Sequence, residues 1–172
     1  MKELTVRIRF DTPCLGNVKR RANCTGVGEP WPVFQLPRMQ DGRIRLETSW
    51  WRSSLRFAAD VLCRHQSSVS QIHLDPGVSG QPSAKMFKRF VGGRKYIKHE
   101  AFLDGAFMEI SCVVPDTISN DDFEQLMRLV GRFKGISPFQ FERQYGLFSV
   151  IGVYKKTALC SEVETISDDK SG

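Results

Sequence analysis

Ser49-Trp50-Trp51-Arg52-Ser53-Ser54-Leu55-Arg56-Phe57-Ala58-Ala59-Asp60-Val61-Leu62 is the stretch that decides the fold. Trp51, Leu55, Ala58, Ala59 and Leu62 return at helical spacing and line one face. Ser49 is the expected N-cap, because its hydroxyl can accept from a first-turn N–H that the helix leaves without a partner. Arg52 and Arg56 lie four apart and share a second face. Two tryptophans and two arginines at one helix start suit an anion that carries flat bases. The plainer reading makes the tryptophans core anchors and the arginines a solvated face. Trp50 stands between the two, as core or as stacking platform.

Upstream, Leu4, Val6, Ile8 and Phe10 alternate with Thr5, Arg7 and Arg9, which predicts a half-buried strand. From Cys14 to Pro32 all periodicity is lost, and a long loop holding Lys19-Arg20-Arg21 is expected. Val33–Leu36 and Arg43–Leu46 are short strand candidates around the hairpin-type turn Gln40-Asp41-Gly42. Downstream, Ile72–Leu74 is a further short strand. Residues 76–101 then form a basic arm with Phe87, Phe90 and Tyr96 interleaved, and Gly92-Gly93 is its tip or hinge.

Ala106–Val114 reads as an apolar strand. Ser119 caps a second helix with Asp122 in the capping-box position. Phe123, Leu126, Met127, Val130 and Phe133 are its buried stripe. Gly131 and Gly135 mark its exit, and Tyr145–Tyr154 is the last strand. Without the long loop and the basic arm, the order is β-α-β-β-α-β. That is the α+β, ferredoxin-like (RRM-like) layout of an antiparallel sheet with two helices. In such folds the open sheet face, or the loops beside it, commonly carries RNA.

The chain has 172 residues, 41% hydrophobic and 26% charged, which suits a soluble globular domain. No apolar run is long enough to cross a bilayer, so a cytoplasmic protein with no membrane partner is expected. Five scattered cysteines without a C-x-x-C pair signal neither a zinc knuckle nor a redox site. Residues 157–172 hold four acids against Lys170, so this stretch carries −3 and the rest +9 of the net +6. The expected division is one domain over 1–156 and an acidic, disordered tail over 157–172. A basic body favours a polyanionic partner.

Three histidines are the candidate acid–base groups. His99 lies among Lys95, Tyr96 and Lys98, where it could meet a 2′-hydroxyl; the plainer reading is a surface histidine in a basic loop. His65, with Arg64, suits the negative end of the first helix. His73 has no partner signal. Asp11 follows the first strand, where it either supports metal-dependent cleavage or caps the Thr12-Pro13 turn. No H-x-x-x-H pair, carboxylate cluster or Walker loop is present, so no metal or cofactor is expected. Gly131-Arg132-Phe133-Lys134-Gly135 offers backbone N–H groups and two cations to a phosphate. The plainer reading is a helix C-cap with Gly135 left-handed.

Four segments in order resemble the RAMP superfamily of CRISPR-associated RNA-binding proteins. The run Phe10-Asp11-Thr12-Pro13-Cys14-Leu15-Gly16 is similar to its strand followed by "TPLxxG". Ser53-Ser54-Leu55-Arg56 before Phe57-Ala58 is similar to its "SSLRGALR" helix start. The β-α unit over 106–132 has the expected length and placement. The end is similar to its glycine-rich loop and closing "GYGRF-V" strand: Gly131-Arg132-Phe133-Lys134-Gly135-Ile136-Ser137, then Tyr145-Gly146-Leu147-Phe148-Ser149-Val150. Phe57-Ala58 stands where glycine-alanine is usual, and Leu147 where an arginine is common.

The best reading is a RAMP-like, non-catalytic subunit that binds RNA or another single-stranded nucleic acid, and the resemblance implies that it assembles with other subunits in a ribonucleoprotein complex. Basic residues would neutralise phosphates and aromatics would stack on bases. The expected contact surface is Arg43, Arg45, Trp50, Arg52 and Arg56, then Lys85, Lys88, Arg89, Arg94, Lys95 and Lys98, then Arg132 and Lys134. Two other classes are open: a metal-independent endoribonuclease using His99, and a protein–protein module or inhibitor that mimics a CRISPR subunit.

Overall fold

The alternation over Lys2–Phe10 becomes strand β1, with Leu4, Val6, Ile8 and Phe10 fully buried and Arg7 and Arg9 exposed on the other face. A period of two puts successive side chains on opposite faces, so one face meets the core and one meets water. The structure is a computed structural model that describes residues 1–19, 33–75, 77, 79–80, 85–93, 95–136 and 145–156. The expected tail over 157–172 lies outside the described residues, as do Arg20 and Arg21 of the long loop and Arg94 of the arm.

After β1 come β2 (Cys14–Leu15), β3 (Val18–Lys19), β4 (Val33–Gln35) and helix α1 (Thr48–Leu62). Then follow β5 (His73–Leu74), β6 (Ser79–Gly80), β7 (Lys85–Gly92), β8 (Lys95–Phe102) and β9 (Phe107–Val114). Helix α2 (Asn120–Leu129) and β10 (Phe148–Lys155) complete the order. Among the described residues the strands form two sheets. The first has the order β10-β1-β9-β5, with β6 also on β9, and all its pairings are antiparallel. With the two helices this is an α+β fold, compatible with the layout expected from the sequence.

The two insertions meet in the second sheet. There β8 is central, with β7 antiparallel on one side, and antiparallel β2 and parallel β4 on the other. β3 continues from β4. The basic arm is therefore half core: Ala101 and Phe102 of β8 are fully buried. Stretches of the expected long loop become β2 and β3. The turn at Gln40-Asp41-Gly42 closes as expected, with Met39 N–H donating to Arg43 O at 2.8 Å. Its second arm makes single bridges, Arg38 to Ile44 and Arg45 to Gly77, in place of a strand over 43–46. Phe10 and Phe102 stack at 5.7 Å and carry one core from the first sheet into the second.

Ser49 is not the N-cap of α1. Glu47 occupies that place without a side-chain bond, because the first turn is held by the burial of Trp50 and Trp51 instead. After Leu62 the chain reverses through Cys63 and His65, both at positive φ. His65 does not serve the dipole of α1. Its Nε2–H donates to Asp122 Oδ2 at 2.7 Å, and Arg64 lies 3.5 Å from Oδ1, so the exit of α1 is tied to the start of α2. Ser119 caps α2 as expected, accepting from Asp122 N–H at 3.1 Å.

Phe123, Leu126, Met127 and Val130 are fully buried, as the stripe requires, but Phe133 is 45% exposed. The reason is a π turn over Val130–Lys134, where Gly135 N–H donates to Val130 O. An i→i+5 turn advances fewer degrees per residue than an α turn. The period that buries Val130 therefore fails to bring Phe133 back to the core. The last strand begins at Phe148, three residues later than expected. Among the described residues no helix is long and apolar enough to cross a membrane.

Candidate nucleic-acid interface

Antiparallel pairing puts directly opposed side chains on the same face of a hairpin. In β7–β8, Lys88 opposes Lys98 and Phe90 opposes Tyr96, so these four share one face. Phe90 is 57% exposed and Tyr96 43%, with ring centroids 5.2 Å apart, just before the Gly92-Gly93 tip. The other face is turned inward. Phe87 meets Tyr145 edge-on at 6.0 Å, and Arg89 and His99 belong to a buried network. The inward face explains why a hairpin this basic packs stably. The outward face presents Lys88, Phe90 and Tyr96 to solvent, with Lys98 half-buried beside them.

His99 is fully buried. Its Nδ1–H donates to Gly16 O at 2.7 Å, its Nε2 accepts from Arg89 Nε–H at 3.1 Å, and its ring stacks on Phe34 at 5.2 Å. Both ring nitrogens are thus engaged and the tautomer is fixed by its neighbours. Neither the surface histidine nor the group that meets a 2′-hydroxyl matches this geometry. Parallel pairing of β4 with β8 at Phe34–His99 encloses the ring. Glu100 fastens the same strands: its carboxylate accepts from Leu36 N–H at 2.9 Å and from Arg38 at 2.7 Å. Asp11 does not cap the Thr12-Pro13 turn. Its Oδ2 accepts from Ser149 Oγ–H at 2.7 Å, while the Thr12 hydroxyl accepts from Leu147 N–H.

The expected contact residues separate into groups. Trp50 is 4% exposed and belongs to the core, so it offers no stacking surface. Arg43 is engaged by Asp41 through its backbone N–H at 3.0 Å and its Nε–H at 2.7 Å. That pair of bonds lowers the Asp41 carboxyl below its ordinary range. Arg45 and Lys85 are exposed, Arg89 is turned inward, and the side chain of Lys95 lies outside the described residues, as Arg94 does. Arg52 and Arg56 are exposed.

The π turn gathers a second group. Gly131 faces Phe148 so closely that any side chain there would collide with the Phe148 carbonyl. Gly135 has φ +69° and ψ −173°, a region that only glycine enters readily. Two glycines therefore shape the turn, and Gly135 is more extended than a left-handed cap. Ser54 Oγ–H donates to Gly135 O at 3.3 Å, and Phe57 meets Phe133 edge-on at 6.3 Å. Lys134 Nζ lies 4.7 Å over the Phe57 ring and Arg132 Cζ 5.6 Å over the Phe133 ring. Arg52 and Arg56, two residues either side of Ser54, lie about 160° around α1 from the side on which Ser54 meets Gly135. A cleft of about 310 Å³ opens beside the turn, lined in part by Asp11, Arg128, Arg132 and Ser149.

Sequence reasoning missed Phe57 and the exposure of Phe133. Glycines bracketing Phe133 were the available signal, since they break the helical period at that point. It raised the open sheet face but put none of that face's residues among the expected contacts; there the Arg7 guanidinium lies 5.0 Å over Phe107.

No family model matches the chain, and no curated protein matches it. Among solved structures, it is similar to a chain in the cryo-EM structure of the Type III-B Cmr-beta bound to cognate target RNA. The TM-score is 0.56 at 10% identity, over 90% of this chain. This chain spans 61% of the length of that one, and at that identity the likeness is one of fold.

Proposed function

We propose that this chain is a RAMP-like subunit with a ferredoxin-like core. In this reading it binds RNA, or another single-stranded nucleic acid, without cutting it, within a ribonucleoprotein complex of the CRISPR effector kind. Residues 1–156 are the binding domain and 157–172 an acidic appendage. The observation that carries the reading is the outward face of the β7–β8 hairpin. Lys88 and Lys98 lie directly opposite each other there, and two cations set side by side suit a backbone phosphate. The neighbouring Phe90–Tyr96 pair supplies ring surface on which a base stacks. The fold it shares with a chain of an RNA-bound complex points the same way.

The test is fluorescence anisotropy with labelled single-stranded RNA across a salt series. Contact with about five phosphates gives a log–log slope near −3.5, since each contributes about −0.7 on single strands. Replacing both hairpin lysines (K88A/K98A) is expected to lower affinity and make the slope shallower by about 1.4. A flat salt response of the parent overturns the reading.

A further inference from the structure

The ring cluster at the π turn is a place where this chain exposes apolar surface at a cost. A π turn is a rare interruption of a helix, frequently found at functional sites. Here its effect is to lift Phe133 out of the buried stripe and set it against Phe57 of α1. Val61, one turn beyond Phe57, is 51% exposed and extends the same apolar strip. Cations lie over both rings, Lys134 on Phe57 and Arg132 on Phe133. Asp60, three residues beyond Phe57, is the acid closest to it along α1.

We propose that the Phe57–Phe133 pair, with Arg132 and Lys134, is a second stacking site for a nucleotide of single-stranded nucleic acid, distinct from the hairpin face. The inference rests on the RNA-binding reading above. The Phe133 ring, 45% exposed against a half-buried Phe57, offers a π-face to any base, and the two cations meet its phosphate. Charge complementarity selects this occupant: two cations are built onto the rings themselves, which suits a polyanion. A flat apolar face rimmed by cations also suits an acidic peptide, and the chain's own residues 157–172 are acidic. That segment is the competing occupant the experiment must separate.

The probe is a labelled single-stranded oligouridylate titrated into the full chain. F133A removes a half-exposed ring, so the protein is expected to fold as the parent does. It is expected to weaken binding about five- to a hundredfold, the range for losing one base stack. The salt slope stays unchanged, because no charge is lost. F133W restores affinity, and its indole emission is quenched on binding. Three outcomes overturn the proposal. In one, F133A binds within twofold of the parent while K88A/K98A is weakened, and the RNA reading survives without this site. In another, deleting 157–172 shifts the F133W emission without RNA present, which makes the acidic segment the occupant. If the parent binds no RNA at any salt, both readings fall together.

Discussion

At the scale of single residues, His99 shows how far sequence position misleads. It lies among lysines and a tyrosine in the chain, yet it is the buried pin that joins Gly16, Phe34 and Arg89. Replacing it with alanine takes from the Gly16 carbonyl its donor and from the Arg89 Nε–H its acceptor, and leaves a cavity between them. A buried polar group left without its partner costs about 1–3 kcal/mol, so H99A is expected to be destabilised by roughly that amount. Urea denaturation measures it, and stability equal to the parent sinks the pinning role. The residue types of this network were readable but its partners were not. Gly16 and His99 are brought together by a pairing of β2 and β8 that no local pattern encodes. Trp50 was ambiguous for a related reason. A large ring beside arginines reads equally as core or as platform, and only the depth of the first turn of α1 decides for core. Arg43 looked free in sequence, and a carboxylate two residues away engages it.

Elements were legible where one face meets a core and the other meets water. The alternation of β1, the apolar period of both helices and the Ser119 cap each follow from that asymmetry. Illegible were the π turn, where two glycines overrule the helical period, and the β2, β3 and β4 part of the second sheet, whose strands of two or three residues are too short to show one. The link between α1 and α2 is long-range as well, and it makes a pH prediction. The His65 hydrogen bond, then the charge of Arg64, hold the Asp122 carboxyl below the ordinary carboxylate range. A carboxylate whose pKa falls on folding stabilises the fold above its unfolded value, near ~3.9. That stabilisation is lost as pH drops through the lower folded value. D122N is therefore expected to melt below the parent above about pH 5, with the gap closing as the solution is acidified past the carboxylate range. Melting curves at several pH values check this. A gap that persists unchanged in acid shows that the loss is one of packing or capping, not of the ionised pair.

For the whole molecule the open question is whether two sheets behave as one body. Chains beyond about 100–150 residues commonly unfold through intermediates, so a single transition is not a foregone result for 172 residues. The core argues for it. Cys14, Leu36 and Phe102 of the second sheet's region lie in the same buried cluster as β1, α1, α2 and β9. Among the described residues, the cluster beside the second sheet holds Leu15, Ala101 and Tyr145, with Phe87 and Leu103 against it. The described part of that cluster is small against the core it adjoins, so the second sheet is expected to depend on the first for its stability. Phe102→Ala tests the dependence, because its ring stacks on Phe10 across the junction. Truncating a buried phenylalanine costs roughly 3–5 kcal/mol. If the sheets are one unit, F102A lowers the melting temperature of the whole. The near-ultraviolet signal of Trp50 and Trp51, far from the hairpin in sequence, then shifts together with the hydrogen exchange of β7 and β8. If the hairpin amides lose protection while the tryptophan signal keeps its parent midpoint, the second sheet is an independent unit, and the single core ends at Phe10.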